Sequence, residues 1–409
     1  SAAVATDRRR RRSQAVGLAL AGGGPGGAVY EIGALRALEE AIEGFDPNRL
    51  DVYVGVSAGA FVAASLVNGI TPTQMVRALV TREPGVHPFT PRTFFTPAYA
   101  EWARRGTMIP RLVADAMLQF TRAPEDQTLV HSLARLTRAL PLGIFDNEPL
   151  RRWLAEAFAH PGRTDDFRRL DRRLYVIAAD LDAGRSVRFG EPGLDHVPIS
   201  TAVQASTALP GLYPPVTVEG RHCVDGVLLR TVHASVALEH GARLLLCINP
   251  IVPVDLDRGI ARGIVKRGAL VRRGLPAVIE QTFRTLIHSR LEVGMRRYDE
   301  RYPGADVVLL EPDRDEYQMF FSDIFTLGSR RQVVELAWQS TRRDLRRRTR
   351  QLEPLLRRHG MRLRREVLED VTGSIWEGVG LEPEGRRSPV TRGLSEALDR
   401  LEGALGVAG

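Results

Sequence analysis

Asp51-Val52-Tyr53-Val54-Gly55-Val56-Ser57-Ala58-Gly59 decides the fold of this chain. Residues 52–56 run without a polar break except the Tyr53 hydroxyl. Such a run reads as a strand buried on both faces, as in parallel sheets covered by helices on each side. The strand stops at Ser57, and a small-residue helical pattern, Ala58 to Asn68, begins at once. Strand, sharp turn and helix around G-x-S-x-G build a nucleophile elbow, because the flanking glycines let the backbone turn tightly enough to hold the serine hydroxyl clear. The following helix also aims its positive end at that hydroxyl, which favours negative charge there. The plainer alternative is a tight turn whose serine only caps the helix.

A second strand-to-helix transition precedes the first. Val16 to Ala21 is a compact apolar strand running into Gly22-Gly23-Gly24-Pro25-Gly26-Gly27, and Ala28 to Ile42 follows with Ile32, Leu35, Leu38 and Ile42 on one helical face. This β-loop-α-β-turn-α order opens a mostly parallel sheet covered by helices. A glycine run at a strand end presents N–H groups without side chains in the way, as an oxyanion in acyl transfer requires. A phosphate cradle is the competing reading. No Gly-Lys-Ser/Thr closes this loop, however, and the next strand leads to a nucleophile elbow instead of an acidic ribose ligand.

Downstream, residues 72–160 read as mainly helical with proline-rich interruptions such as Pro84 to Pro97, which suggests an inserted cap. Strands resume at Arg173 to Ala179 and Ser186 to Phe189, followed by a helix from Ser200 to Ala208 and an extended run from Val216 to Val224. Arg243 to Ile248 and Val307 to Leu310 read as further strands. The expected architecture is a three-layer α/β fold, a mostly parallel central sheet with helices on both faces. It carries a helical cap and an Arg-rich helical C-terminal extension. The expected division is a disordered basic arm over 1–14, a catalytic domain over 15–328 with its cap at about 72–160, a helical extension over 329–382, and a linker and tail over 383–409.

Four blocks occur in order: G-G-G-x-x-G at 22–27, G-x-S-x-G at 55–59, Ala205-Ser206-Thr207-Ala208-Leu209-Pro210-Gly211-Leu212-Tyr213-Pro214-Pro215-Val216, and Asp225-Gly226. Over roughly residues 15–250 this pattern resembles the patatin-like phospholipases. The resemblance implies a Ser57–Asp225 dyad without histidine that hydrolyses acyl esters of glycerolipids. It implies an oxyanion hole at Gly22, Gly23 and Gly24, with Gly27, Gly55, Gly59 and Gly226 as motif glycines, and neither metal nor cofactor. One departure stands out: Gly26 occupies a place where the family often has Arg or Lys.

The dyad is chemically reasonable. A carboxylate bonded to a serine hydroxyl takes its proton during attack and returns it to the leaving alcohol. An Asp at its ordinary pKa of ~3.9 is a poor base, so partial burial should raise it. Asp-Gly is also a common turn. Asp180 and Asp182 are reserve bases, and His196, His222, His233 and His240 are the histidines open to a rival Ser-His-Asp triad. In a regular strand His222 and Asp225 face opposite sides.

The 57 basic residues exceed the 49 acidic ones in this 409-residue chain, for a net charge of +8, and Lys266 is the one lysine. Arginine-rich surfaces attract phosphate-bearing polyanions, either lipid headgroups or nucleic acid. Gly259 to Arg273 mixes apolar and basic residues as interfacial helices do. Arg262, Lys266, Arg267, Arg272 and Arg273 are therefore expected to dock on anionic membranes, the alternative being a packed helix with a solvated basic face. Arg342 to Arg350 has no interleaved aromatics and no RNA-binding signature, so it reads as a solvated helix face without nucleic acid. Cys223 and Cys247 form no zinc-like cluster. No stretch reaches the ~20 apolar residues of a spanning helix. The expectation is a cytoplasmic protein peripherally associated with membrane lipids, its oligomeric state unspecified. A soluble-substrate esterase or thioesterase, and a catalytically silent membrane adaptor, are the rival functions.

Overall fold

In the computed structural model the described residues are 15–81, 93–107, 140–314 and 326–381. The basic arm, the expected tail, and the segments 82–92, 108–139 and 315–325 lie outside them. Eight strands form one sheet: β1 (Val16–Leu20), β2 (Val52–Val56), β3 (Arg173–Asp180), β4 (Arg185–Phe189), β5 (Val216–Val218), β6 (Arg221–Asp225), β7 (Leu244–Ile248) and β8 (Asp306–Leu310). Five of them run parallel in the order β8-β7-β1-β2-β3. Beyond β3 the sheet turns antiparallel, through β4, β6 and β5.

The register at β3 positions the site. One edge of β3 pairs with β4, from Val176 to Asp180. The other edge is shared by two strands. β2 occupies it up to the Val56–Ile177 pair, and β6 takes over with Asp225 opposite Ala178. The two strands meet head-on, so the residue after Val56 and the last residue of β6 arrive at the same point from opposite directions.

Side chains alternate across the sheet, as a strand's period of two demands. Leu18 and Leu20 of β1 face one core, while Ala19 and Ala21 face the other. The first core takes α1 (Gly24–Ala41), α2 (Ala58–Val67), α3 (Pro72–Val80), α5 (Glu148–Phe158), α6 (Ile199–Ser206), α9 (Leu327–Arg347) and α10 (Thr349–Arg358). The second is covered by α7 (Ala234–Glu239) and α8 (Leu275–Arg301). The remaining long segment of the expected cap holds α4 (Tyr99–Gly106), beside the short ladder of Thr96–Pro97 with Phe145–Asp146. Helix–sheet–helix layering follows, with both faces of the parallel strands covered.

Several boundaries differ from the sequence reading. The first helix begins at Gly24 instead of Ala28, since glycine and proline suit a helix's first turn. The extended run 216–224 is two strands split at Glu219 and Gly220, both with positive φ. Helices α3 and α5, at the two ends of the expected cap, bury Met75, Val76, Leu79, Leu150 and Leu154 in the first core. The expected amphipathic helix over 259–273 is instead two short helices, Asp257–Ala261 and Ala269–Arg272. Gly263, Gly268 and Gly274, each at positive φ, interrupt it.

Helix α9 lies along α1 at close range. Its arginines are partly structural: Arg342 is buried, stacks 4.1 Å over the Trp338 ring and donates to the carbonyls of Val367 and Asp370. Arg343, Arg346, Arg347 and Arg350 are exposed, as a solvated face requires. Trp338 donates its indole N–H to Glu40 of α1 at 2.7 Å, and Arg362–Leu363 pairs with Ile42–Glu43. Residues 326–381 are thereby built into the first layer. Among the described residues no helix is long and apolar enough to cross a membrane.

Candidate active site

Ser57 caps β2 at φ 54, a left-handed backbone that side-chain-bearing residues rarely adopt. Two close approaches hold the turn. A Cβ on Gly59 would lie 2.4 Å from the Leu20 carbonyl oxygen, and the Gly59 N–H donates to the Ala21 carbonyl at 2.9 Å. A Cβ on Gly55 would lie 2.5 Å from the Ala60 Cα. Glycine at these positions is what lets the elbow nest against the end of β1. Ser57 itself is 5% exposed, at the C-terminal edge of the sheet.

The glycine loop stands beside it. A Cβ on Gly22 would come within 3.2 Å of the Ser57 Cβ, and Pro250 and Ile251, after β7, pack on Gly23. Gly23 and Gly24 adopt φ 138 and 61. Among the described residues the N–H groups of Gly22 and Gly23 have no acceptor. The first turn of α1, like any helix start, leaves its N–H groups without intrahelical partners. Gly27 sits behind the loop, its N–H bonded to the Gly23 carbonyl at 3.0 Å. The Gly22 and Gly23 N–H groups and the start of α1 thus lie near the serine, and a helix N-terminus is a favourable place for negative charge.

Asp225 ends β6 and is 2% exposed. Its carboxylate accepts the Val227 N–H at 2.9 Å, and the nearby Ser57 hydroxyl also favours its charged form. Gly226 permits this turn, because a Cβ there would stand 2.4 Å from the Ile177 carbonyl oxygen. Burial pushes the Asp225 pKa up to about 7, while the Ser57 hydroxyl and the Val227 N–H restrain the rise. A carboxylate in that range exchanges protons readily near neutral pH.

The candidate histidines are engaged elsewhere. His222 binds Asp182 at 2.9 Å, His196 binds Glu219 at 3.2 Å, and His240 stacks on Tyr175 with ring centroids 4.2 Å apart. His233 is buried and meets the Gly226 carbonyl at 3.3 Å, with burial pushing its pKa down to about 4. Among the described residues none of the four hydrogen-bonds Ser57 or Asp225. Asp180 is taken up in the turn after β3, accepting the N–H groups of Asp182 and Ala183. Among the described residues no cluster of His, Cys, Asp or Glu could hold a metal ion.

Two residues escaped the sequence reading. The Ser206 hydroxyl, at the end of α6, accepts the Ser57 N–H at 2.8 Å and donates to the Ile177 carbonyl at 2.6 Å. It ties the elbow to β3. Glu31, in the third turn of α1, is fully buried, and burial holds its carboxyl well above the usual range. The carboxyl faces the Ala21 amide without a full hydrogen bond. Ser206 lies within the alanine- and proline-rich block at 205–216, but a buried hydroxyl carries no local pattern. Glu31 has no sequence cue at all.

A cavity of about 340 Å³ lies between α1, α2, α3 and α5, lined by Ile32, Phe61, Met75, Leu79, Trp153 and Ala157 among others. It starts one helical turn beyond Ser57 and does not include Ser57 or Asp225.

A family model described as patatin-like phospholipase matches residues 18–238. The chain is similar to VipD from Legionella pneumophila at 16% identity, with 81% of this chain and 66% of that one covered and a TM-score of 0.37. It is also similar to the type III effector protein ExoU, at 18% identity, 82% and 53% coverage and a TM-score of 0.32. A third likeness is to ExoU of Pseudomonas aeruginosa in complex with SpcU, at 14% identity, 69% and 52% coverage and a TM-score of 0.27. The chain spans just under two thirds of VipD's length and about half of ExoU's.

Proposed function

The chain belongs to the patatin-like phospholipase family, and from that membership we propose that it cleaves fatty-acyl ester bonds of lipids through Ser57 and Asp225. The observation that carries the reading is the strand register that brings Ser57 beside the buried Asp225 carboxylate, whose pKa is raised to about 7. In the first half-reaction Asp225 takes the Ser57 proton as Oγ attacks the acyl carbonyl. Negative charge passes to the carbonyl oxygen, where the N–H groups of Gly22, Gly23 and Gly24 receive it. Such donors are each worth about 3–4 kcal/mol in the transition state. The tetrahedral adduct collapses, the ester C–O bond breaks, and the leaving alcohol takes the proton from Asp225. Water then attacks the acyl-Ser57 ester with Asp225 again as base, and the fatty acid departs. No cofactor has a part in this scheme.

Gly26 in place of a cation is the one feature favouring a silent adaptor, and the triplet Gly22-Gly23-Gly24 is kept beside it. Labelling with a fluorophosphonate tests the proposal. Wild type should label, and Ser57→Ala should not. Asp225→Asn should lose labelling and hydrolysis by about three orders of magnitude or more. Hydrolysis of phospholipid vesicles beside short soluble esters separates a lipase from a soluble-substrate esterase or thioesterase. An unlabelled wild type, with vesicles present, would sink the catalytic reading.

A further inference from the structure

Helix α8 shows one apolar face to the second core, through Ile287, Leu291, Met295 and Tyr298. It shows another to solvent. Leu275, Ile279, Phe283 and Leu286 are 70%, 45%, 44% and 58% exposed and follow one another at helical spacing. Ile264, between the two short helices before it, and Val271, on the second of them, are 59% and 72% exposed. Single exposed apolar residues are ordinary, but an array of them marks a surface that something covers.

Charge beside the array tells which partner fits. Between residues 255 and 273 six basic residues stand against two aspartates. Arg262, Lys266, Arg267 and Arg272 are exposed, and among the described residues none has a carboxylate partner. Arg272 spends its guanidinium on the carbonyls of Lys266 and Arg267, which folds this basic segment into a compact knob. Large apolar side chains flanked by the exposed cations Arg262, Lys266 and Arg267 match the boundary between headgroups and acyl chains of an anionic bilayer.

The stripe also lies beside the catalytic edge. The Gln281 side chain binds both the N–H and the carbonyl of Val254, at 3.1 and 2.9 Å. That segment continues from Pro250 and Ile251, which pack on Gly23. Arg290 donates to the Leu228 carbonyl at 3.2 Å, three residues past Asp225. We propose that the exposed face of α8, with the basic knob of 262–273, docks the protein on anionic lipid bilayers and brings the Ser57 edge against the membrane. The choice of a bilayer over a second copy of the chain rests on the lipid-hydrolase reading. The basic residues anticipated from sequence belong to this surface, but its apolar half comes from α8.

Co-sedimentation of the full Ser57→Ala chain with phosphatidylcholine vesicles, with and without phosphatidylserine, tests the surface without catalysis. Binding should need the anionic lipid and weaken as salt rises. Two variants should each lower vesicle partitioning by about tenfold or more. One replaces Ile279, Phe283 and Leu286 by serine, and the other replaces Arg262, Lys266, Arg267, Arg272 and Arg273 by glutamine. With Ser57 restored, both should keep fluorophosphonate labelling and short-ester hydrolysis, which shows that they are folded. Undiminished partitioning in either variant overturns the proposal. So does a chain that ignores vesicles and elutes as a dimer made monomeric by the serine variant, which would assign the stripe to a second copy. Vesicle binding without labelling supports the surface and sinks hydrolysis alone.

Discussion

Asp225 binds a proton more tightly in the folded protein than in the unfolded chain, and two measurements follow. As the proposed base it must be ionised, so kcat/KM on a soluble ester should rise through pH about 7 and level off above it. Stability should move the other way. Between an unfolded pKa of ~3.9 and the folded value, the native state holds a proton that the unfolded chain has released, so unfolding becomes easier as pH rises through that window and flattens above it. Asp225→Asn removes this dependence. It should melt higher than wild type at pH 8, with the difference shrinking toward pH 4, in thermal scans across that range. Ser206 acts one bond further back. Ser206→Ala leaves the buried Ser57 N–H without its acceptor, which should cost about 1–3 kcal/mol in denaturant unfolding. It should lower kcat by about tenfold with KM nearly unchanged; a purely structural hydroxyl would shift the melt and spare kcat. Ser57 and Asp225 were legible because each ends a strand in a short motif. Ser206 and Glu31 were not, because their roles exist only where α6 meets the elbow and α1 lies beneath the glycine loop.

At the scale of elements, α1 and α9 pack backbone to backbone. A Cβ on Gly33 would lie 2.5 Å from the Val334 carbonyl oxygen and 2.9 Å from the Ala337 Cβ. Backbone cannot swing aside as a side chain does, so the helices must part. Gly33→Ala should lower stability by about 1–3 kcal/mol, seen as a lower urea midpoint with an unchanged slope, and should speed proteolysis after residue 326. The periodicity of α1 was readable from Ile32, Leu35, Leu38 and Ile42, but its partner was not. Amphipathic spacing says that a face is buried and is silent about what buries it. The same limit hid what each side of α8 meets, since its two apolar faces blur a single-stripe pattern. It also hid the division of the 259–273 segment, where glycines that could have been tolerated in a helix adopt positive φ and end it.

For the whole molecule, the family match ends at residue 238 and the fold does not. β1 needs β7 along one edge, from Val16–Leu244 to Leu20–Ile248, and α1 needs α9 over its outer side. A fragment ending at residue 238 should therefore lack a cooperative urea transition and bind a hydrophobic dye, whereas the full chain should melt cooperatively. The layer order was legible from the opening β-loop-α-β-turn-α run, because parallel strands buried on both faces admit few arrangements. Strand order beyond β3 was not, since pairing across the sheet leaves no trace in local spacing.

The head-on meeting of β2 and β6 has a consequence in time. A chain leaving the ribosome carries its serine long before the strand that supplies the base, and the residues that clamp the glycine loop, Pro250 and Ile251, emerge later still. Half-made molecules therefore carry Ser57 without its proposed base. The geometry doubles as a delay, since the proposed site is complete only after the sheet has closed.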